Sequence, residues 1–357
     1  MVSVITASDR QAFKRCRRAW DLGSPLRQGW ERADDRVPVD LGAAVRAALA
    51  VWYFPGMWEW DRAIVRPLAF EAYRRVAAGW PAGADEVAAL GERLLGRYVE
   101  WAPAVDRFTP VRVETDFQVA IPDPADPVRD LAGADGSALH FAGRIELLVV
   151  DAFDAYWLAT HRLQDRWADL DELVLDEGGA TACWAWERSF LGMDIAGVIY
   201  NELRTDADLD RELPTAATPG PESVVPVGHR RMYVRSDRST VPEITREGNE
   251  VFRRTWVSRS LVELERARRH LGAEARDMTS ADLAIYPAPA WDICSVCEFR
   301  PPCIALNTGV DAEAVLAKSY RPRPPVPEQE GRLGGVTWSI GRGAAPPTFG
   351  RRPTTDR

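Results

Sequence analysis

The stretch "LHFAGRIELLVV" (Leu139–Val150) sets apolar residues two apart, the period of a strand rather than of a helix. It has a neighbour on each side: "VRVETDFQVAI" (111–121) before it and "YWLATHRL" (156–163) after it. Both are rich in β-branched and aromatic residues and bounded by Pro, Gly, Asp and Ala. Three successive strands are expected. Downstream, "GATACWAWERSFLG" (179–192) reads as a helix of apolar and small residues ending at Gly192. "IAGVIYNELR" (195–204) has the continuous apolar character of a buried strand.

Before the strands the period is helical. Ser8 with Gln11 three residues on makes a capping-box start, and Phe13, Cys16 and Trp20 recur on one helical face, which turns Cys16 inward. A second helix is expected in "DLGAAVRAALAVWYF", capped by Asp40, with Leu41, Val45, Leu49 and Trp52 on its apolar stripe. A third runs over about 85–101, where Val87, Leu90, Leu94, Tyr98 and Trp101 keep the same period. After the last strand, 205–245 reads as a Pro/Asp/Arg-rich insertion and 247–271 as a charged amphipathic helix with Phe252, Trp256, Leu261 and Leu264. From Arg321 on, seven arginines against three acids among Pro and Gly predict a disordered basic tail. No internal repeat is apparent.

The 357 residues suffice for a sizeable core, and a composition of 46% hydrophobic and 27% charged residues is that of a globular protein. There is no apolar run of about eighteen residues and no signal-peptide pattern, so no membrane partner and a cytoplasmic location are expected. The net charge of −8 argues against indiscriminate coating of nucleic acid but leaves room for a local basic groove. Only two of the 45 basic residues are lysines, Lys14 and Lys318. Chemistry that needs a lysine has almost nowhere to find one.

"WDICSVCEFRPPC" (Trp291–Cys303) carries three of the five cysteines as C-x2-C-x5-C, and short spacers of this kind let several thiolates face one centre. Cys183 sits in an apolar helix and reads as a core residue. Cys16, in "KRCRRAW", is flanked by cations that favour a thiolate and is the better fourth partner. Trp291, Phe299, Pro301 and Pro302 would supply a rigid apolar collar. A link from Cys16 to Cys294 would close nearly the whole chain, which by the loop-entropy argument stabilises by up to about 5 kcal/mol. Spacing alone does not separate a [4Fe–4S] cluster from Zn²⁺.

One N-terminal cysteine, a long interval and then C-x2-C-x5-C resembles the iron staple of PD-(D/E)XK nucleases of the RecB type, including the AddB-like and CRISPR-associated exonucleases. The resemblance extends to "GAAVR" (Gly42–Arg46), "GRIE" (Gly143–Glu146), "THR" (Thr160–Arg162) and "EGGATACWAW" (Glu177–Trp186), and covers roughly residues 7–305. It implies an α/β fold with a restriction-endonuclease-like core of helix, three strands, helix and strand. The segments would be a helical N-terminal region carrying Cys16 (1–105), the core (106–205), an insertion, helix and cysteine closure (206–320), and the tail (321–357). The implied cluster ligands are Cys16, Cys294, Cys297 and Cys303.

Residue by residue, the family's chemistry is eroded. Its histidine falls on Arg46, its GRID aspartate on Glu146, its second acid on Thr160, its lysine on Arg162, and its glutamine and tyrosine on Gly178 and Ala182. Cutting a phosphodiester in such a site needs hard oxygen ligands for Mg²⁺ or Mn²⁺. Thr160 offers a neutral hydroxyl instead of a charge, and Arg162 cannot share a proton with water as a lysine can. Glu114, facing Glu146 from the neighbouring strand, and His161 are the candidates to take over, although strand parity turns His161 away from Thr160 and Arg162. Arg46, Arg144 and Arg162 are candidate phosphate binders. The expectation is a DNA-binding protein with a degenerate nuclease centre, working with a nuclease or helicase partner on single-stranded or end-containing DNA. The alternatives are an active Mg²⁺- or Mn²⁺-dependent exonuclease and a zinc-stapled interaction module.

Overall fold

A computed structural model describes residues 4–33, 38–133, 136–210 and 244–323. Of the expected insertion over 205–245, residues 211–243 lie outside the described residues, as does the expected basic tail beyond Arg323.

The chain begins with β1 (Val4–Thr6), α1 (Ala7–Arg15), α2 (Arg17–Gly23) and β2 (Trp30–Arg32). The α1 cap is Thr6 rather than Ser8. Thr6 is extended, its hydroxyl accepts the Asp9 N–H, and the Asp9 carboxylate accepts the Thr6 N–H, so Ser8 falls inside the first turn. The expected continuous helix through Trp20 is broken at Cys16, whose backbone is extended at φ −163° and ψ 110°. Phe13, Cys16 and Trp20 all remain buried.

Next come α3 (Leu41–Trp52), capped by Asp40 as expected, α4 (Arg62–Ala77) and α5 (Asp85–Val105). The three predicted strands follow as β3 (Phe108–Ala120), β4 (His140–Asp151) and β5 (Tyr156–Gln164), then α6 (Leu170–Val174), α7 (Glu177–Ser189) and β6 (Ile195–Arg204). The region read as one helix over 247–271 is instead two strands, β7 (Ile244–Gly248) and β8 (Phe252–Ser258), followed by α8 (Leu261–Thr279). Phe252 and Trp256 suit a helical period of four as well as a strand period of two. Ser260, in a reciprocal cap with Glu263, starts the helix only after them. The chain closes with α9 (Trp291–Cys294), α10 (Arg300–Thr308), α11 (Ala312–Ser319) and β9 (Tyr320–Pro322), which pairs antiparallel with β2.

The seven-stranded sheet is mixed, and the fold is α/β. Its order is β1-β4-β5-β6-β8-β7, with β3 on the other edge of β4. β1–β4 and β5–β6 are parallel and the other pairs antiparallel. β6 is buried along nearly its whole length. At Gly197 a Cβ would meet the Val257 carbonyl oxygen at 2.1 Å, so only glycine lets β8 approach so closely. Helices cover both faces. α3, α4 and α5 pack one core against Leu147, Val149, Trp157, Ile199 and Phe252, and α1, α2, α7 and α8 pack a second against Phe117, Leu148, Leu158 and Val198. The described residues form one compact unit. No described helix is long and apolar enough to cross a membrane.

The first core holds a buried ion pair. Arg254 Nη1 donates to Asp106 Oδ1 at 2.5 Å, and Nη2 donates to the hydroxyls of Tyr53 and Tyr98 at 3.2 and 3.1 Å. Removing one partner of such a pair leaves the other charge uncompensated. Arg254→Met should therefore cost about 3–5 kcal/mol in urea unfolding, and adding Asp106→Asn should recover roughly half of that or more.

Candidate functional site

The long edge of β4 opposite β3 is shared. β1 pairs with its start, His140 to Ala142, and β5 with its second half, Leu147 to Val150. Beyond the pair Leu147–Ala159 the strands β4 and β5 part, and Glu146 and Thr160 sit at the fork. The His161 N–H, left without a β4 carbonyl, donates to Glu146 Oε2 at 2.6 Å, and Thr160 Oγ1 donates to Oε1 at 3.3 Å. Both carboxylate oxygens of Glu146 thus serve the backbone and hydroxyl of the next strand.

Glu114 is level with Glu146, because its neighbours pair Val113 with Leu147 and Thr115 with Ile145. Its φ of +44° is a conformation uncommon for a residue with a side chain. Burial pushes the Glu114 carboxyl up, against the pull of Arg144 and Arg46. Burial also pushes Glu146 up, to about 7; the His161 N–H, Arg46 and Thr160 oppose this and Glu114 adds to it. Two carboxylates share a partly dry site, and arginines supply the balancing charge.

Those arginines differ in freedom. Arg144 is bidentate on Asp116, at 2.6 and 3.0 Å, with Glu114 at 3.7 Å. Arg162 donates to Asp176 at 2.6 Å, lies 4.4 Å from the Tyr200 ring centroid, and is held by an acid that Tyr200 also donates to. Among the described residues Arg46 has only a long contact to Asp40, at 4.0 Å. Of the three expected phosphate binders, Arg46 has the weakest protein partner.

His161 does not join Glu146 through its side chain. As strand parity requires, the ring turns to the α3/α5 face, where it is 6% exposed and stacks on Tyr53 at 5.9 Å. Its Nδ1 meets Asn201 Nδ2 at 2.8 Å. Burial, with Arg254 and Arg46 nearby, lowers its pKa to about 3, so as a base at the fork it is misplaced and held neutral. The expected role of His161 is corrected on that ground. The residues not anticipated are Asp176, Asp116 and the buried set Tyr53, Tyr98, Asp106, Asn201 and Arg254. The one available signal was Asn201, a polar residue inside a strand that reads as buried, which has to find partners.

The four candidate ligand thiols are gathered at the closure. Cys16 Sγ accepts the Ala288 N–H at 3.4 Å, and the Arg18 N–H donates to the Tyr286 carbonyl at 3.2 Å, which docks the connection between α8 and α9 onto the break between α1 and α2. Burial pushes the thiols of Cys297 and Cys303 up, and Cys16 and Cys294 push both further in the same direction. All four are free. One buried and three half-buried thiols suit zinc or an iron–sulfur cluster chemically, yet among the described residues no three His, Cys, Asp or Glu side chains are already placed to hold a metal ion. The collar is only partial. Phe299 is buried against Leu22, Leu316 and Tyr320, and Pro302 is buried, but Pro301 is exposed and Trp291 is 85% exposed. Cys183 is fully buried in the second core.

No protein-family model matches the chain, and no curated protein matches it significantly.

Because Glu146 holds its proton to about pH 7 in the folded chain and to about 4.5 when unfolded, its contribution to stability is full below pH 4.5 and lost as pH rises through 7. Glu146→Gln should thus unfold at higher urea than wild type at pH 8, by about 3 kcal/mol, with little difference at pH 4. An equal effect at both pH values would show that Glu146 titrates alike in the folded and the unfolded chain.

Proposed function

We propose that the protein is a nuclease-like DNA-binding protein of the PD-(D/E)XK type, closed by a four-cysteine iron–sulfur cluster and without effective cutting chemistry. The observation that carries this reading is the fork between β4 and β5. Glu146 stands there opposite Thr160, with Arg162 committed to Asp176 and Arg144 to Asp116 and Glu114. A hydrolytic Mg²⁺ or Mn²⁺ would need several unencumbered oxygen anions. Here one carboxylate is tied to the next strand and the other to an arginine.

The gathering of Cys16 with Cys294, Cys297 and Cys303 supports the second half of the reading, with Zn²⁺ as the alternative occupant. A cluster bound by these thiols would supply a soft cross-link between the first helices and the end of the fold. The level placement of Glu114 and Glu146 favours one rival, an exonuclease that uses both acids on Mn²⁺. The partner would be a nuclease or helicase that supplies the missing chemistry.

Anaerobically purified protein, mixed with end-labelled single-stranded or forked DNA with and without Mn²⁺, should shift the label and leave it intact. Shortening that requires Mn²⁺ and disappears in Glu146→Ala would establish the exonuclease instead. The same preparation should be brown and contain about four irons per chain, and Cys16→Ala should lose most of the iron. Stoichiometric zinc without iron would replace the cluster by the zinc staple.

A further inference from the structure

The buried polar residues of the first core form a hydrogen-bond chain with one direction. Burial pushes the Asp106 carboxyl up and Arg254 pulls it back. The guanidinium at 2.5 Å, which does not give up its proton, keeps Asp106 an acceptor. Tyr53 donates its single proton to Asp106 at 3.1 Å. The 2.6 Å contact between the two phenols must therefore use the Tyr98 proton. Tyr98, its proton committed, can only accept from its remaining neighbours. It accepts from Arg254 Nη2 and, at 2.9 Å, from Asn201 Nδ2. That fixes the amide of Asn201, whose nitrogen also donates to His161 Nδ1 at 2.8 Å. A neutral imidazole that accepts at Nδ1 carries its proton on Nε2.

The Nε2 edge has no partner among the described residues, and it is not among the sealed, unpaired polar atoms of the core. His161 lines a cleft of about 620 Å³, bounded by the first turn of α3, Arg46, the end of β5 and Thr205. Volumes of about 300–1,000 Å³ are usual for small-ligand sites. On the far wall the Arg46 guanidinium lies against Gly42, where a Cβ would meet Nη1 at 3.0 Å. A side chain at position 42 would drive it off the start of a twelve-residue helix, whose N-terminal end favours anions and where the Asp40 carboxylate already accepts the Ala43 N–H.

We propose that this cleft is an oxyanion site for a single phosphate group, with the His161 Nε2–H as its neutral donor and Arg46 as its charged one. The second, independent pointer besides the helix end is His161, more than nine-tenths buried, which lines the cleft and whose Nε2 has no partner among the described residues. Arg162 is answered by Asp176, so the charges left at the rim are Arg46 and, 4.0 Å from it, Asp40, the loose partner that a phosphate would have to displace. That the phosphate belongs to a nucleic-acid strand rests on the DNA-binding reading above; the site itself does not.

The test uses the full chain labelled with ¹⁵N-histidine, the His161 signals being assigned by elimination with His140→Gln, His229→Gln and His270→Gln. His161 should show the Nε2–H tautomer from pH 5 to 8, and inorganic phosphate should shift its Nε2 signal. Arg46→Gln, a change at a part-exposed position outside the buried chain, should weaken that phosphate response about tenfold. The Nδ1–H tautomer, or an Nε2 signal that phosphate does not move, overturns the proposal even if DNA binds elsewhere. Phosphate that moves His161 while no oligonucleotide binds upholds the site and removes nucleic acid as its source. With DNA binding intact, an oligonucleotide carrying a terminal phosphate should compete for the Nε2 response better than its hydroxyl-ended twin.

Discussion

The parting of β4 and β5 is the constraint from which the candidate site follows. A strand that leaves its neighbour strands its own N–H groups, and a buried N–H has to be paired. At His161 the pairing comes from a side chain, Glu146, rather than from the backbone across the fork. An acid that completes a strand in this way is held firmly and stays half desolvated, which raises its affinity for a proton. The same contact places Thr160 beside it and, one residue on, turns the His161 ring into the opposite core. One structural accommodation sets the chemistry on both faces of the sheet.

Charge in this protein is handled by fixed guanidinium groups. Arg254 satisfies Asp106 and two phenols in a dry layer, Arg259 donates to the carbonyls of Leu173 and Val174 and to Tyr200, and Tyr200 in turn holds the acid that engages Arg162. A planar group with five donors can satisfy several acceptors from one position, and it keeps its charge when buried. With only two lysines in the chain, neither at the fork, these arginines order the polar interior without introducing a group that titrates near neutrality.

Much of this architecture could be read from residue spacing. The three strands, the buried β6 and the helix capped by Asp40 follow from period and turn chemistry, which act locally. What escaped was decided at long range. Phe252 and Trp256 fit either period, and only the pairing of β8 with β6 makes them a strand. Ser8 was a plausible cap until Thr6, extended by its pairing with β4, took the position. Trp291 looked like part of a collar because aromatic residues usually bury, but it is Phe299 that finds a pocket, beneath Gly23. At the candidate site Glu114, Glu146 and Arg46 could be named from the sequence. The partners that define their state, Asp116 for Arg144 and Asp176 for Arg162, come from strand register and a helix start that spacing does not reveal.

The closure of the chain also sets an order in time. β1 pairs with His140 to Ala142, and Cys16 comes near enough to Cys297 and Cys303 to influence their thiols only across almost the whole length of the described fold. At synthesis rates of roughly 5–20 residues per second, the first thiol waits on the order of tens of seconds for the last. During translation the N-terminal helices therefore emerge with their cysteine unaccompanied, and the gathering of the thiols is reserved for a nearly finished polypeptide. A chain stalled or truncated before Cys303 leaves the first thiol without its full company.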